Sequence, residues 1–298
     1  MIVAIVGPTG IGKTRLSIAL AKYFQTELIS GDSVQVYRGL DIGSAKVSQA
    51  EQDGVVHHLI DIMDPTEEYS VALFQRQVRA KVDALEAQGH LPIIVGGTGL
   101  YIKSVLYDYN FEDTKRDPNF QAKYQHHTNE ELFQILQEVD PEATVQLHPN
   151  NRKRILQAIQ RSATNKVSDN TNKDVPVYDF LILGLRLEQQ RLIQRINTRV
   201  DQMIETGLIE EVKGLYDKGI RTNAVNAIGY KELYRYFDGK CTLDEAIERI
   251  KIHTRQLAKR QYTFFQNQFP VQWLDVDLEH FENTIDEAIH RIESEMSK

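Results

Sequence analysis

A glycine-rich loop directly follows the first apolar segment of the chain. Residues 7–14 read Gly-Pro-Thr-Gly-Ile-Gly-Lys-Thr, and all of Ile2–Val6 before them are apolar. The pattern G-x-x-x-x-G-K-[ST] between a strand and a helix is typical of a phosphate-binding loop, whose backbone N–H groups turn toward phosphate oxygens. We therefore predict a strand over Ile2–Val6, a helix from Lys13 to about residue 24, and a bound phosphate ester or diphosphate at the N-terminus of that helix.

Each position of this loop has an expected role. Lys13 would supply a cation, and the hydroxyl of Thr14 could ligate Mg²⁺. The glycines would let the backbone curl around the anion. The predicted diphosphate or nucleotide contacts are Gly7, Pro8, Thr9, Gly10, Ile11, Gly12, Lys13 and Thr14.

Strand-like and helix-like segments alternate over the first 105 residues or so. Ser70 to Gln88 has an apolar stripe with helical spacing, with Ser70 as its expected N-cap and Gly89 as the residue after the C-cap. The predicted strands lie at 27–30, 58–62 and 91–95. This alternation predicts an α/β fold like that of phosphate-loop NTPases, with a mostly parallel sheet and helices on both faces.

The pattern changes after residue 109. Residues 110–178 are polar, charged and helical in character, and 162–174 within them read as a mobile loop. We interpret 110–178 as a smaller all-helical insertion domain, and 1–109 with 179–298 as the α/β core domain. Later predicted elements are strands at 179–185 and 272–276 and helices at 188–205, 243–268 and 278–296.

Two further polar signals follow predicted strands, at the edge where open α/β sheets bind ligands. Asp32 could hold Mg²⁺ indirectly, act as a general base, or cap a turn. Ser33 and Gln35 beside it offer hydrogen bonds suited to a base edge.

The strand at 91–95 leads into Gly96-Gly97-Thr98-Gly99 rather than a pair of acids, which argues against ATP hydrolysis. These glycines would permit close approach of a ligand, or would form only a tight turn. Thr98 would supply a hydroxyl and cap the next helix.

Basic residues cluster in two places, although the net charge of the chain is −7. Lys251, Arg255 and Lys259 are spaced to share one helix face, and Arg152-Lys153-Arg154 lie in the predicted insertion. Such runs are often only solvated faces, but two of them in an acidic protein also suit contacts to nucleic-acid phosphates.

Several classes of protein are disfavoured by composition. The single cysteine, Cys241, excludes an internal disulfide and a Cys-rich zinc site, and the nine histidines lack metal-site spacing. No apolar run approaches the ~20 residues of a membrane span, and Ile2–Val6 is too short for a signal peptide core. We expect a cytoplasmic monomer.

Taken together, the motifs resemble those of the tRNA dimethylallyltransferases (isopentenyl-tRNA transferases) of bacterial type. The resemblance covers nearly the whole chain, and the matching segments occur in the order of that family. They are GPTGIGKT at 7–14, DSVQVY at 32–37, DIGSAK at 41–46, GGTGLY at 96–101, HPN at 148–150, GYKE at 229–232 and TRQLAKRQ at 254–261.

The resemblance implies a reaction and its participants. Dimethylallyl diphosphate would lie on the phosphate loop with Mg²⁺, and the tRNA anticodon stem-loop would present a flipped-out adenosine, 3′ to the anticodon, whose N6 amine takes the prenyl group. Asp32 would be the general base, Lys13 would stabilise the leaving diphosphate, and Thr98 would lie near the amine. The implied tRNA-binding residues are Asp32, Ser33, Val34, Gln35, Thr98, Lys153, Arg154, Arg255, Lys259 and Arg260.

The chain departs from the family pattern at Gln157, Asn226 and Gln266, where relatives often carry arginine. Two alternatives remain open from the residues alone. A small-molecule or nucleotide kinase would use the same phosphate loop and Asp32, with the insertion as a lid. A nucleotide-gated RNA-binding module without chemistry would need no base at Asp32.

Overall fold

The computed structural model describes residues 1–109, 111, 118–163 and 173–298. The chain divides into two compact units. Met1–Tyr107 and Pro176–Lys298 form one, which we call the α/β unit, and Asp108–Val175 form the other, the insertion unit. The boundaries lie within three residues of those expected from the change in sequence character.

A six-stranded parallel sheet forms the centre of the α/β unit. Its strands are β1 Ile2–Val6, β2 Leu28–Ser30, β3 His57–His58, β4 Ile93–Gly96, β5 Phe180–Arg186 and β6 Val271–Asp275. The strand order is β3-β2-β4-β1-β5-β6. β1 lies inside the sheet, where Val3 is paired with Ile93 on one side and with Leu181 on the other. All five residues of β1 are buried, as expected for a strand covered on both faces.

The third strand is shorter than the apolar run 58–62 predicts. β3 contains only His57–His58, because Leu59 and Asp61 have positive φ angles (63° and 56°) that are incompatible with an extended strand. Apolar composition alone does not report such a local reversal of the backbone.

Most of the longer helices of the α/β unit were predicted. The helices are α1 Lys13–Tyr23, α2 Gln49–Gln52, α3 Val71–Ala87, α4 Gly99–Leu106, α9 Gln189–Glu205, α10 Leu208–Asp217, α11 Tyr230–Phe237, α12 Leu243–Gln268 and α13 Phe281–Met296, and a 3₁₀ turn spans Asn223–Asn226. Ser70 caps α3 by accepting a hydrogen bond from the N–H of Leu73, and Gly89 follows the C-cap with φ 77°, as predicted. The short helices α2, α10 and α11 were not predicted.

Buried apolar side chains stabilise the α/β unit, and two clusters of them bear on the site. The first packs the sheet against α1 and α13, with Leu16 and Ile292 among its buried members. The second packs the segment after β2 against α9–α12, and it buries Val36, Leu40 and Tyr230. Because each fully buried large apolar side chain contributes about 1.5–3 kcal/mol, the second cluster fixes the loop that follows Asp32.

The insertion unit has its own small core. Its helices are α5 Pro118–Lys123, α6 Asn129–Val139, α7 Pro141–Gln146 and α8 Arg152–Ala163. α6 and α8 bury Leu132, Leu136, Ile155 and Ile159. Residues 164–172 of the predicted mobile loop lie outside the described residues. In the described part of both units, no helix has the length and apolar character to cross a membrane.

Candidate active site at the carboxyl edge of the sheet

The phosphate loop connects β1 to α1 through backbone conformations that require glycine. Gly7 has φ 143°, and a Cβ there would lie 2.9 Å from the carbonyl oxygen of Leu185 on the neighbouring strand. Gly12, at the N-cap of α1, has φ 109°, and a Cβ there would lie 3.0 Å from the ring of Phe281. The sequence pattern therefore forms the predicted strand, loop and helix.

Lys13 folds back over the loop. Its Nζ donates hydrogen bonds to the carbonyl oxygens of Gly7 (3.0 Å) and Pro8 (2.8 Å). Burial lowers the pKa of Lys13 to about 8, and Arg199 lowers it further while Asp32 acts in the opposite direction. The ammonium is thus held where its charge is poorly solvated, so a bound anion would be favoured.

Two arginines on α9 complete the basic surroundings of the loop, and the sequence analysis missed them. Arg195 donates from Nε to the carbonyl oxygen of Gly10 at 3.0 Å. Burial lowers the pKa of Arg199, whose charge interacts with Lys13 and Asp32. The sequence contains a signal for them, since Arg195 and Arg199 are four residues apart on the helix that follows β5 and therefore share a helix face.

Asp32 lies just beyond the end of β2 and uses one oxygen to cap its own loop. Its Oδ1 accepts hydrogen bonds from the N–H groups of Val34 (2.8 Å) and Gln35 (3.3 Å). Among the described residues, Oδ2 has no hydrogen-bond partner. The turn-capping role is therefore real, and it orients a carboxylate that still has one oxygen available within electrostatic range of Lys13.

Two of the predicted base-contacting residues come together at this edge. The Thr98 hydroxyl donates to the Ser33 hydroxyl at 3.4 Å. Thr98 occupies the N-cap position of α4, but its side chain makes no cap hydrogen bond, so the predicted side-chain cap is wrong. The hydroxyl lies instead toward the loop that carries Asp32.

Gln35 and Val34 have mainly internal contacts. The Gln35 amide donates to the carbonyl oxygens of Ser44 and Ala45, both at 3.3 Å. Val34 is half-buried and packs against the second apolar cluster. In this structure both residues shape the loop.

The segment 41–46 is held from two sides. Glu211 accepts hydrogen bonds from the consecutive N–H groups of Asp41, Ile42 and Gly43 (2.9, 2.7 and 3.1 Å) and from the hydroxyl of Tyr230 at 2.7 Å. The ammonium of Lys46, whose side chain is 5% exposed, pairs with Asp41 and Asp61. These contacts make the segment a rigid support for the loop after β2.

The glycines of the turn after β4 are packed against protein atoms. A Cβ at Gly96 would lie 2.5 Å from the carbonyl oxygen of Gly31, and one at Gly99 would lie 2.2 Å from the ring of Phe264. Neighbouring segments of the chain thus occupy the positions that side chains would take at these two glycines, so the turn requires glycine for its own packing.

Gln261 on α12 joins this turn to the phosphate loop. Its Oε1 accepts from the N–H of Thr9 at 3.0 Å, and its Nε2 donates to the carbonyl oxygen of Gly97 at 3.1 Å. A Cβ at Gly97 would lie only 2.3 Å from that Nε2. Gln261 belongs to the motif at 254–261, but sequence reasoning gave it no role in the site.

Thr14 supplies the hydroxyl that the predicted Mg²⁺ would use as its protein ligand. Thr14 is exposed at the start of α1, on the loop side of the helix end. The described residues contain no group of three or more His, Cys, Asp or Glu side chains able to hold a metal by themselves. Mg²⁺ usually keeps several waters and binds through substrate phosphates with few protein ligands, so a hydroxyl beside the loop fits this ion.

The basic face of α12 separates into bonded and exposed residues. Lys251 pairs with Asp201 at 2.7 Å, and Arg255 donates from Nη1 to Oδ1 of Asn197 at 2.9 Å. Lys259 and Arg260 are exposed, and within the described chain their side chains have no partner. The helix therefore uses some of its cations to pack on α9 and leaves others for solvent or a ligand.

The insertion unit also presents cations. Lys153 and Arg154 are exposed on α8, whereas the next residue, Ile155, is buried in the core of that unit. Arg152, the first residue of α8, donates to the carbonyl oxygens of His127 and Tyr124, at 2.5 and 2.7 Å. The positions that depart from the family pattern, 157, 226 and 266, are all exposed.

Known proteins resemble this chain over almost its full length. The family model described as IPP transferase matches residues 35–268. A protein of Anoxybacillus flavithermus named tRNA dimethylallyltransferase is 48% identical over 298 residues, covering 98% of this chain and 96% of the relative. The protein of that name from Bacillus subtilis is 46% identical, covering 92% of this chain and 90% of the relative.

Solved structures also resemble this chain over almost its full length. The full-length tRNA isopentenylpyrophosphate transferase of Bacillus halodurans is 44% identical, with TM-score 0.77 and coverage of 99% and 96% of the two chains. A eukaryotic dimethylallyltransferase described as acting on tRNA is 28% identical, with TM-score 0.84 and coverage of 99% of this chain and 79% of the other.

Proposed function

Since this chain belongs to the IPP transferase family and is a transferase that prenylates tRNA, we propose that it moves a dimethylallyl group from dimethylallyl diphosphate to the N6 amine of the adenosine 3′ to the anticodon. The family sets aside both the kinase and the non-catalytic RNA-binding module. The observation that carries the catalytic assignment is the free oxygen of Asp32, held by a capped turn within electrostatic range of Lys13.

In the proposed reaction, Asp32 acts as the general base. The N6 amine of adenine is a weak nucleophile, because its lone pair is delocalised into the ring. As the bond from N6 to C1 of the prenyl group forms, the C1–O bond breaks, its electron pair leaves with diphosphate, and Oδ2 of Asp32 accepts the N6 proton. A positioned base contributes about 10²–10⁴-fold to such a step. Thr98 and Ser33, paired beside Asp32, would orient the amine.

Negative charge develops on the departing diphosphate, and the loop supplies the opposite charge. Lys13, Arg195 and Arg199 surround the loop, and the N-terminus of α1 points at the same place. Diphosphate oxygens would replace the two carbonyl oxygens that Lys13 now contacts. The loop residues 7–14 would provide the remaining contacts.

The metal we propose for this site is Mg²⁺, with the Thr14 hydroxyl as its protein ligand. When bound, it would neutralise part of the charge on the diphosphate. Lys13, Arg195 and Arg199 would neutralise a further part of that charge.

The anticodon stem-loop would be held by the exposed cations. Lys259 and Arg260 in the α/β unit and Lys153 and Arg154 in the insertion unit have the exposure that phosphate contacts require. Arg255 stays a predicted contact, although its guanidinium is bonded to Asn197. The base itself would meet the loop at 32–35.

Nucleoside analysis tests the proposal directly. The purified protein is incubated with Mg²⁺, radiolabelled dimethylallyl diphosphate and an unmodified tRNA transcript, and the tRNA is digested. Label in N6-dimethylallyladenosine at the position after the anticodon supports the proposal. Label at another nucleoside, or none with an active Bacillus subtilis enzyme run in parallel, would overturn it.

A further inference from the structure

A single amide side chain bridges the two loops of the site. Gln261 accepts from the Thr9 N–H at 3.0 Å and donates to the Gly97 carbonyl oxygen at 3.1 Å. These partners lie 252 and 164 residues away along the chain. Because a glutamine amide has distinct donor and acceptor ends, the two bonds together fix its orientation.

Both partners are next to residues of the reaction. Thr9 lies in the phosphate loop, one residue after Pro8, whose carbonyl oxygen accepts from Lys13. Gly97 directly precedes Thr98, which is bonded to Ser33. The bond from the Thr9 N–H to Gln261 therefore ties the phosphate loop to α12.

The glycine at 97 matches the amide. Gly97 has no positive φ that would demand glycine, but a Cβ there would meet Nε2 of Gln261 at 2.3 Å. The next contact of that Cβ after the Gln261 side chain would be the Gly7 carbonyl oxygen at an ordinary 3.5 Å. A side chain at 97 would therefore displace the Gln261 amide from the position in which it makes its two bonds.

We propose that Gln261 is a positioning residue that sets the distance between the phosphate loop and the Gly97–Thr98 turn, and that Gly97 is glycine to admit it. The proposal rests on the proposed function, in which the diphosphate lies on the loop and the acceptor amine lies near Thr98. Gln261 thus aligns the two reacting groups without touching either. A misplacement of about 1 Å between reacting groups can cost about 10²-fold in rate.

Gln261→Met tests the amide while keeping the length of the side chain. We expect kcat for prenyl transfer to fall about 10–100-fold and dimethylallyl diphosphate affinity to fall severalfold, with tRNA affinity within about twofold of the original. Active-site titration and thermal melting correct for any loss of folded enzyme. Gln256→Met, at an exposed position on the same helix, is the matched control and should leave all three quantities unchanged. Normal kcat in Gln261→Met would overturn the proposal.

A double-mutant cycle tests the pairing with Gly97. Gly97→Ala should displace the amide and lower kcat about as much as Gln261→Ala. The combined variant should be no worse than the poorer single variant, because the same bridge between Thr9 and Gly97 is lost in every case. Multiplicative losses would show that the two positions act separately, which would overturn the pairing.

Lys13→Met distinguishes failure of this proposal from failure of the proposed site. If Lys13→Met binds dimethylallyl diphosphate normally, the diphosphate does not lie on the loop and the proposed site is wrong. If Lys13→Met loses binding while Gln261→Met keeps normal binding and normal kcat, the site stands and only the role of Gln261 is refuted.

Discussion

The surroundings of the phosphate loop and the basic face of α12 both carry positive charge, but the two places differ in how the charged side chains are held. Around the loop, Lys13 is hydrogen-bonded to backbone carbonyl oxygens, and burial lowers its pKa to about 8 and also lowers the pKa of Arg199. On α12, Lys259 and Arg260 extend into solvent, with no partner in the part of the chain that the structure describes.

The difference indicates two uses of positive charge. Charges fixed in a poorly solvated place stabilise a transition state, because they need no reorganisation when charge develops. Exposed charges contribute affinity for a polyanion through counterion release and have little effect on the chemical step. Substitutions at the loop should therefore change kcat, whereas substitutions on α12 should change tRNA affinity and its salt dependence.

The greatest loss of rate should come from Asp32→Asn. The amide keeps an oxygen to cap the turn but cannot accept the proton, so the single-turnover transfer rate should fall about 10²–10⁴-fold while tRNA affinity stays within about twofold. Rapid-quench measurement with labelled dimethylallyl diphosphate gives the rate. The control variant Asp286→Asn, at an exposed position on α13, should leave the transfer rate unchanged. A near-normal rate for Asp32→Asn would remove the general-base assignment.

Next in size is Lys13→Met, which removes the cation from the loop. Loss of one electrostatic contact to the leaving group typically costs about 10²–10³-fold in rate, and diphosphate affinity should also fall. Lys22→Met, at the solvent-exposed end of the same helix, should change neither. If the two lysine variants behaved alike, the contrast between buried and exposed cations would be lost.

The lowered pKa of Lys13 predicts a pH effect on substrate binding. Lys13 attracts diphosphate in its charged form and not in its neutral form, so binding of diphosphate raises the pKa of Lys13. The complex therefore takes up a proton when it forms above pH 8. Affinity for dimethylallyl diphosphate should then fall by up to about tenfold per pH unit above 8. Calorimetry in buffers of different ionisation enthalpy measures the uptake at pH 7 and pH 9. Lys13→Met should abolish the excess uptake at pH 9, and an equal uptake in both proteins would contradict the prediction.

The mildest changes should come from α12. Lys259→Gln and Arg260→Gln should each weaken tRNA binding severalfold and reduce the salt slope by about one unit per lost phosphate contact, with kcat at saturating tRNA unchanged. Arg255→Gln, which breaks the bond to Asn197, should change the slope less than Lys259→Gln does. Filter binding over a salt series measures these slopes. Equal slopes for the parent and all variants would show that the basic face of α12 does not contact tRNA.

Much of the fold could be predicted because its signals are local. The strand, glycine loop and helix at 2–24 follow from a short pattern, and the caps of α3 follow from Ser70 and Gly89. α10 was missed although its buried residues, Leu208, Val212 and Leu215, have helical spacing. The error at β3 had a different origin, since nothing in an apolar run reports the positive φ of Leu59.

The site could be predicted only in its separate pieces. Asp32, Lys13 and Thr98 were identified because each follows a strand, and parallel strands bring their carboxyl ends to one edge. That Thr98 turns toward Ser33 instead of capping α4 depends on the distance between two loops. Arg195 became visible only once α9 was placed beside the loop.

The order of residues alone was enough for the phosphate loop, the parallel α/β architecture and the family, because these depend on backbone conformation and apolar patterning over a few consecutive residues. Only the folded chain shows that Gln261 bridges Thr9 and Gly97, and that Arg255 is bonded while Lys259 is exposed. Those outcomes depend on how α12 packs against the sheet and α9. Packing is set by the summed burial of side chains far apart in the chain, which no short stretch of residues contains.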